Sequence, residues 1–126
     1  AVASEKKKFK VITSENNRAH KVDFNEKYKE NANMTVTINE ILNEFEENKY
    51  HPFLIKIDIE GSELDLFSKN IEWLDKFEIL IIELHDWMLP NNSNSLNFFN
   101  SLSYSSKNGN KRDVIISGEN LICIKI

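Results

Sequence analysis

Phe53-Leu54-Ile55-Lys56-Ile57-Asp58-Ile59-Glu60-Gly61-Ser62-Glu63 is the stretch whose reading decides the fold of this chain. From Ile55 to Glu60 apolar and charged residues alternate, the mark of a strand with one solvated face. Pro52 excludes helix immediately before it, and Gly61 breaks the strand. Ser62 is placed to cap a helix running through Ser68, with Glu63 and Asp65 favoured in its first turn by the helix dipole. Leu64, Phe67 and Ile71 supply that helix with an apolar face. The alternation sets Lys56, Asp58 and Glu60 on one side of the strand. A solvated strand face accounts for these charges equally well, but the glycine and helix start directly after them make a corner that a ligand can approach.

Downstream, residues 77–84 form a second strand whose centre, Ile79-Leu80-Ile81-Ile82, is continuously apolar, as expected for a strand covered on both faces. Roughly twenty residues containing a helix separate the two strands, which suits a parallel crossover. Upstream, Phe9 to Ile12 reads as a short strand, and the polar, Asn-rich stretch after it, to about Asn33, as loop. Thr37 and Glu40 have the spacing of a capping box, and Ile38, Ile41, Leu42 and Phe45 recur at helical spacing, so a helix is predicted over 38–48. After Pro90, Ser93 or Asn94 caps a short helix containing Leu96, Phe98, Phe99 and Leu102. Residues 113–117, a turn at Gly118-Glu119-Asn120, and residues 121–126 end the chain as an antiparallel hairpin. The reading is one α/β domain over residues 1–126, with a mostly parallel sheet and an antiparallel end.

Composition narrows the functional classes. A chain of 126 residues holds one modest core. Its net charge of −4 and its single short basic run, Lys6-Lys7-Lys8 with Lys10, argue against a nucleic-acid partner. No apolar run reaches the roughly 20 residues of a membrane span. The lone Cys123 can neither staple the fold nor build a zinc site, which points to a reducing, cytoplasmic setting.

Ligands of open parallel sheets bind beyond the carboxyl ends of the strands. There the first strand ends in Lys56, Asp58 and Glu60, and the second in Glu83 and His85, with Asp86 and Trp87 just beyond. Adjacent strands would bring these groups into one crevice. Trp73 reads as core, whereas Trp87 lies in the loop over that crevice. His20 and His51 stand in loops without partners at ligand spacing.

Three ordered segments resemble the FkbM-type methyltransferases. Lys56-Ile57-Asp58-Ile59-Glu60-Gly61-Ser62-Glu63 is similar to the family's K-x-D-x-E-G-x-E signature. Thr35-Val36-Thr37-Ile38-Asn39-Glu40 looks like its strand-to-helix entry upstream, and Ile81-Ile82-Glu83-Leu84-His85 like its downstream strand ending in an acid and a histidine. The resemblance implies a partial Rossmann-like, class I methyltransferase fold and transfer of a methyl group from S-adenosylmethionine to a hydroxyl of a sugar or natural product. By position, Asp58 and Glu60 end the fourth strand of that fold and His85 the fifth, and the hairpin supplies the sixth and seventh. The family's glycine-rich cofactor loop has no counterpart among the three glycines at 61, 109 and 118. The chain therefore matches the carboxyl-terminal part of the domain, with Ala1-Val2-Ala3 as the tail of an earlier strand. Such a part exposes a sheet edge that invites pairing with a second copy.

Under this reading the partner is a small-molecule or glycan acceptor and the cofactor S-adenosylmethionine. His85 is the candidate general base, because a histidine titrates near neutrality, and Glu83 or Asp58 orients it. Asp58 and Glu60 hold acceptor hydroxyls or the methionine end of the cofactor, and Lys56, Gly61, Glu63, Glu83 and Trp87 complete the binding set. Two rival classes remain: a non-catalytic, truncated module of the same fold kept for association, and a metal-dependent hydrolase using Asp58, Glu60, Glu83 and His85.

Overall fold

The computed structural model describes residues 1–13, 20–24, 33–47 and 49–126. Seven strands and three α-helices follow in the order β1 (Lys8–Thr13), β2 (His20–Phe24), β3 (Asn33–Met34), α1 (Ile38–Glu47), β4 (Leu54–Ile57), α2 (Glu63–Leu66), β5 (Ile79–Glu83), α3 (Leu96–Lys107), β6 (Arg112–Ser117) and β7 (Asn120–Lys125). A 3-10 turn, Glu72–Lys76, lies between α2 and β5.

The strands divide into two sheets, one of order β2-β1-β3 and one of order β4-β5-β7-β6. In the second, β4 and β5 run parallel with Leu54 opposite Ile79 and Ile57 opposite Ile82, as the crossover spacing predicts. β7 then inserts antiparallel between β5 and β6. The α/β class holds, but the expected mostly parallel sheet does not. Among the described strands one pair is parallel, because the tight β6–β7 hairpin can only return antiparallel and β7, not a further crossover strand, takes the free side of β5. Val2 makes a separate, isolated parallel bridge to Val36.

The polar stretch read as loop contains β2, which is a correction. Its alternation is hidden by its shortness: Val22 and Phe24 pair with Val11 and Phe9, so the apolar residues of two short strands share a face. His20 accordingly begins a strand instead of lying in a loop.

One face of the four-stranded sheet carries the core. Ile57, Leu80, Ile82 and Cys123 pack with Leu66, Phe67, Trp73, Leu74, Phe77 and Phe98 from the crossover and α3, and with Ile38 and Leu42 of α1. β5 is therefore not covered equally on both faces. Leu80 and Ile82 are fully buried, whereas Ile79 and Ile81 are half-buried. Trp73 is a core residue, as its sequence context implies. Burial raises the Cys123 thiol, which makes it an inert packing group.

Capping at α1 agrees with the sequence: Thr37 Oγ1 accepts the Glu40 N–H at 3.2 Å and Glu40 Oε2 accepts the Thr37 N–H at 3.1 Å. The helix extends to Glu47, and the final expected residue, Asn48, lies outside the described residues. Capping elsewhere departs from expectation. α2 is four residues long, and Ser62 makes no side-chain cap. The α3 cap position is Ser95, again without a side-chain bond, and the side chain of Asn94 is used elsewhere. Among the described strands, β4 and β6 form the edges of the larger sheet, and Val114, Ile115 and Ile116 of β6 are exposed. No helix among the described residues is long and apolar enough to cross a membrane.

Candidate active site

β4 ends at Ile57, and the chain leaves the sheet at once. Glu60 and Gly61 take positive φ values of 53° and 90°, a left-handed turn that stops the period-two alternation after Asp58. Glu60 is exposed and does not join Asp58 in the group of side chains gathered at His85. The turn instead carries Glu63 inward, where its side chain is fully buried.

Glu63 is the pivot of the site. Its Oε1 lies 2.8 Å from His85 Nδ1 and weakly accepts the Gly61 N–H at 3.4 Å. Its Oε2 accepts a hydrogen bond from Asn94 Nδ2. Asn94 is also buried, and its Oδ1 accepts the Leu64 N–H at 3.2 Å. A carboxylate can only accept, so the His85 Nδ1–H donates to Glu63 and the ring is held with Nε2 outward. That nitrogen stands 3.8 Å from Asp58 Oδ1 and 3.6 Å from Glu83 Oε1. Lys56 Nζ donates to the other Asp58 oxygen at 3.3 Å.

The orienting group of His85 is therefore Glu63, and not Glu83 or Asp58, which face the opposite ring nitrogen. Gly61 also changes role. A Cβ placed there would meet Leu89 Cδ1 at 2.8 Å, so the space that glycine opens is filled by Leu89. Trp87 lies beside the site as expected, 74% exposed and with its ring centroid 6.4 Å from that of His85. Asp86 turns away: its Oδ1 accepts the Ser95 N–H at the start of α3, and hydrogen bonding from Ser95 holds its carboxyl below the ordinary value.

Of the predicted residues, Lys56, Asp58, Glu83 and His85 come together, Trp87 lies beside them, and Glu63 supports His85 from behind. Glu60 does not join. The four-residue metal set of the hydrolase reading thus lacks one member, and three ligand atoms, from Asp58, Glu83 and His85, lie within 4.8 Å of one another. Sequence reasoning missed Asn94. It lies 31 residues from Glu63, in a polar loop where nothing local distinguishes it from its neighbours.

An apolar groove of about 630 Å³ runs between α1 and β4, lined by Phe45, Tyr50, Phe53 and Leu54 among others. None of Asp58, Glu63, Glu83 and His85 contributes to it.

Ionisable groups thus converge beyond the carboxyl ends of a parallel strand pair, the place where open α/β sheets bind their ligands. The family model described as Methyltransferase FkbM domain matches residues 1–111. The chain belongs to the FkbM methyltransferase family. No curated protein and no solved structure matches it.

Proposed function

We propose that this chain forms the acceptor side of an S-adenosylmethionine-dependent O-methyltransferase acting on a hydroxyl of a sugar or natural product. The observation that supports this most directly is the convergence of Asp58, Glu83 and His85 beyond the ends of two adjacent parallel strands in a chain of this family. An acceptor hydroxyl must be aimed at the methyl group and relieved of its proton. Asp58 and Glu83 present oxygens that aim it, and its proton is lost at this corner. Trp87 offers an exposed aromatic face against which a sugar ring packs.

S-adenosylmethionine, when bound, supplies a methyl group made electrophilic by a sulfonium. The exposed carboxylate of Asp58 suits the α-ammonium group at the methionine end of that molecule. The three glycines of the chain supply no glycine-rich loop for its nucleoside end. The anion-binding corner expected at Ser62 does not support a phosphate or carboxylate ligand, since α2 is a single turn and its start is ringed by acids.

Methyl transfer from labelled S-adenosylmethionine to a panel of hydroxyl acceptors tests the proposal. Turnover should fall about 100-fold or more in His85→Ala and Asp58→Asn. Undiminished turnover in both variants would exclude this corner. The glycine count supports a second reading, an inert module of the same fold. Calorimetry with S-adenosylmethionine separates the two, since saturable binding by the chain rules out the inert module.

A further inference from the structure

We infer that Asp58, Glu83 and His85 form a binding site for one divalent first-row transition ion. The ion's use in methyl transfer rests on the function proposed above; its binding does not.

The first ground is the buried imidazole. His85 is 1% exposed, its Nδ1 is committed to Glu63, and its Nε2 has no hydrogen-bond partner among the described residues. The two oxygens it faces, at 3.8 and 3.6 Å, are too distant for hydrogen bonds and close enough for shared ligation. A histidine that donates one N–H to a carboxylate and aims the other nitrogen at two further carboxylate oxygens has the posture of a metal ligand, in which the outer carboxylate fixes tautomer and ring orientation.

The second ground is spacing. An ion with ligand bonds of about 2.0–2.2 Å sets tetrahedrally arranged donors about 3.4 Å apart. The three ligand atoms here lie within 4.8 Å of one another, so the shell closes when the two carboxylates draw in toward the imidazole. Asp58 is a third exposed and Glu83 a fifth, so both side chains have room to make that adjustment.

The third ground is charge. Two carboxylate oxygens lie within 4.8 Å of each other beside the same imidazole nitrogen, and the nearby cation, Lys56, is bonded to the far oxygen of Asp58. Asp58 Oδ1 and Glu83 Oε1 are thus turned toward a centre that favours positive charge. Two carboxylates with one imidazole suit Mn²⁺, Fe²⁺, Co²⁺ or Zn²⁺ better than softer ions. Three protein ligands leave coordination positions open toward the crevice. An ion there acts as a Lewis acid on an acceptor hydroxyl and lowers its pKa. His85 then serves as a ligand, and the hydroxyl proton leaves to water.

The test uses the chain stripped with a chelator and titrated with Mn²⁺ alone, followed by electron paramagnetic resonance, and with Zn²⁺ alone, by calorimetry. One ion per chain is expected. Asp58→Asn and Glu83→Gln should each weaken binding about tenfold or more, and Glu63→Gln, which frees the ring, by a comparable factor. Glu72→Gln, an exposed acid on the 3-10 turn, should leave binding unchanged. Asp58 is exposed, Glu83 is half-buried and neither belongs to the apolar core, so these variants are expected to remain folded for the measurement. Absence of saturable binding, or binding insensitive to both substitutions, overturns the site. Calorimetry with S-adenosylmethionine on the same stripped protein reports on the methyltransferase reading separately, so failure of either is seen without the other.

Discussion

Glu63 Oε1 and His85 Nδ1 are 2.8 Å apart, and both side chains are buried. An acid one turn past β4 thereby fixes the ring at the end of β5, joining the two strand ends through a bond that neither strand makes by itself. Asn94 and the Gly61 backbone supply the remaining donors to the same carboxylate. The candidate site and the packing of the crossover share these atoms.

Glu63→Gln keeps the shape of the side chain but replaces one accepting oxygen with a donor. It must then face either the His85 N–H or the Asn94 amide with a donor of its own. A loss of about 1–3 kcal/mol is expected in denaturant unfolding. Nitrogen NMR shifts of His85 should report a change of tautomer.

Asn94→Ala leaves Glu63 Oε2 and the Leu64 N–H without their partners. A cost of about 1–3 kcal/mol is expected, and Asn94→Asp should be no better, because it sets a second carboxylate against Glu63. Thermal melts of the two variants check this, and a melting temperature equal to the parent's would contradict the assigned bonds.

Gly61→Ala should destabilise by about 1–2 kcal/mol through its left-handed conformation, with a further cost from the close approach of Leu89. The second part is separable. Combined with Leu89→Ala, the substitution should cost less than the sum of the two single changes, a coupling readable in a double-mutant cycle.

The Asp86 carboxyl lies below its ordinary value in the folded state, chiefly through hydrogen bonding from Ser95. A depressed acid stabilises the fold above its unfolded pKa of about 3.9 and loses that contribution as pH falls through the folded value. Asp86→Asn should therefore lower stability at neutral pH and flatten the acid limb of the stability curve below about pH 4. Unfolding measured from neutral pH downward gives both slopes.

Trp73→Ala removes the largest fully buried side chain, packed on Phe67 and Phe77. A loss of about 3–5 kcal/mol is expected. In a domain of this size that is a large share of total stability, so the variant should be substantially unfolded at 37 °C by circular dichroism.

Local pattern is a sound guide wherever neighbours in sequence are also the physical partners. Thr37 and Glu40 cap one another across a single turn, and the β6–β7 hairpin pairs residues joined by a tight loop. The parallel β4–β5 pair is legible because a crossover of that length has few alternatives. Where the partner is distant, pattern misleads. Glu60 satisfies the alternation that groups it with Asp58, yet its positive φ turns it out to solvent. Of the apolar face expected for a longer α2, Phe67 is in the core, whereas Leu64 is half-buried and Leu66, outside that pattern, is buried in its place.

The sequence by itself determined the α/β class, the two strands that end in ionisable residues, and the family, since each rests on spacing within short segments. Only the tertiary structure decided which of those ionisable groups face each other. Alternation fixes a side chain's face only while the strand lasts, and β4 ends before the signature does. Beyond Ile57 the direction of each side chain is set by a left-handed turn and by packing against Leu89 and Asn94, residues far downstream in the chain. For that reason Glu63, and not Glu60, lies behind His85.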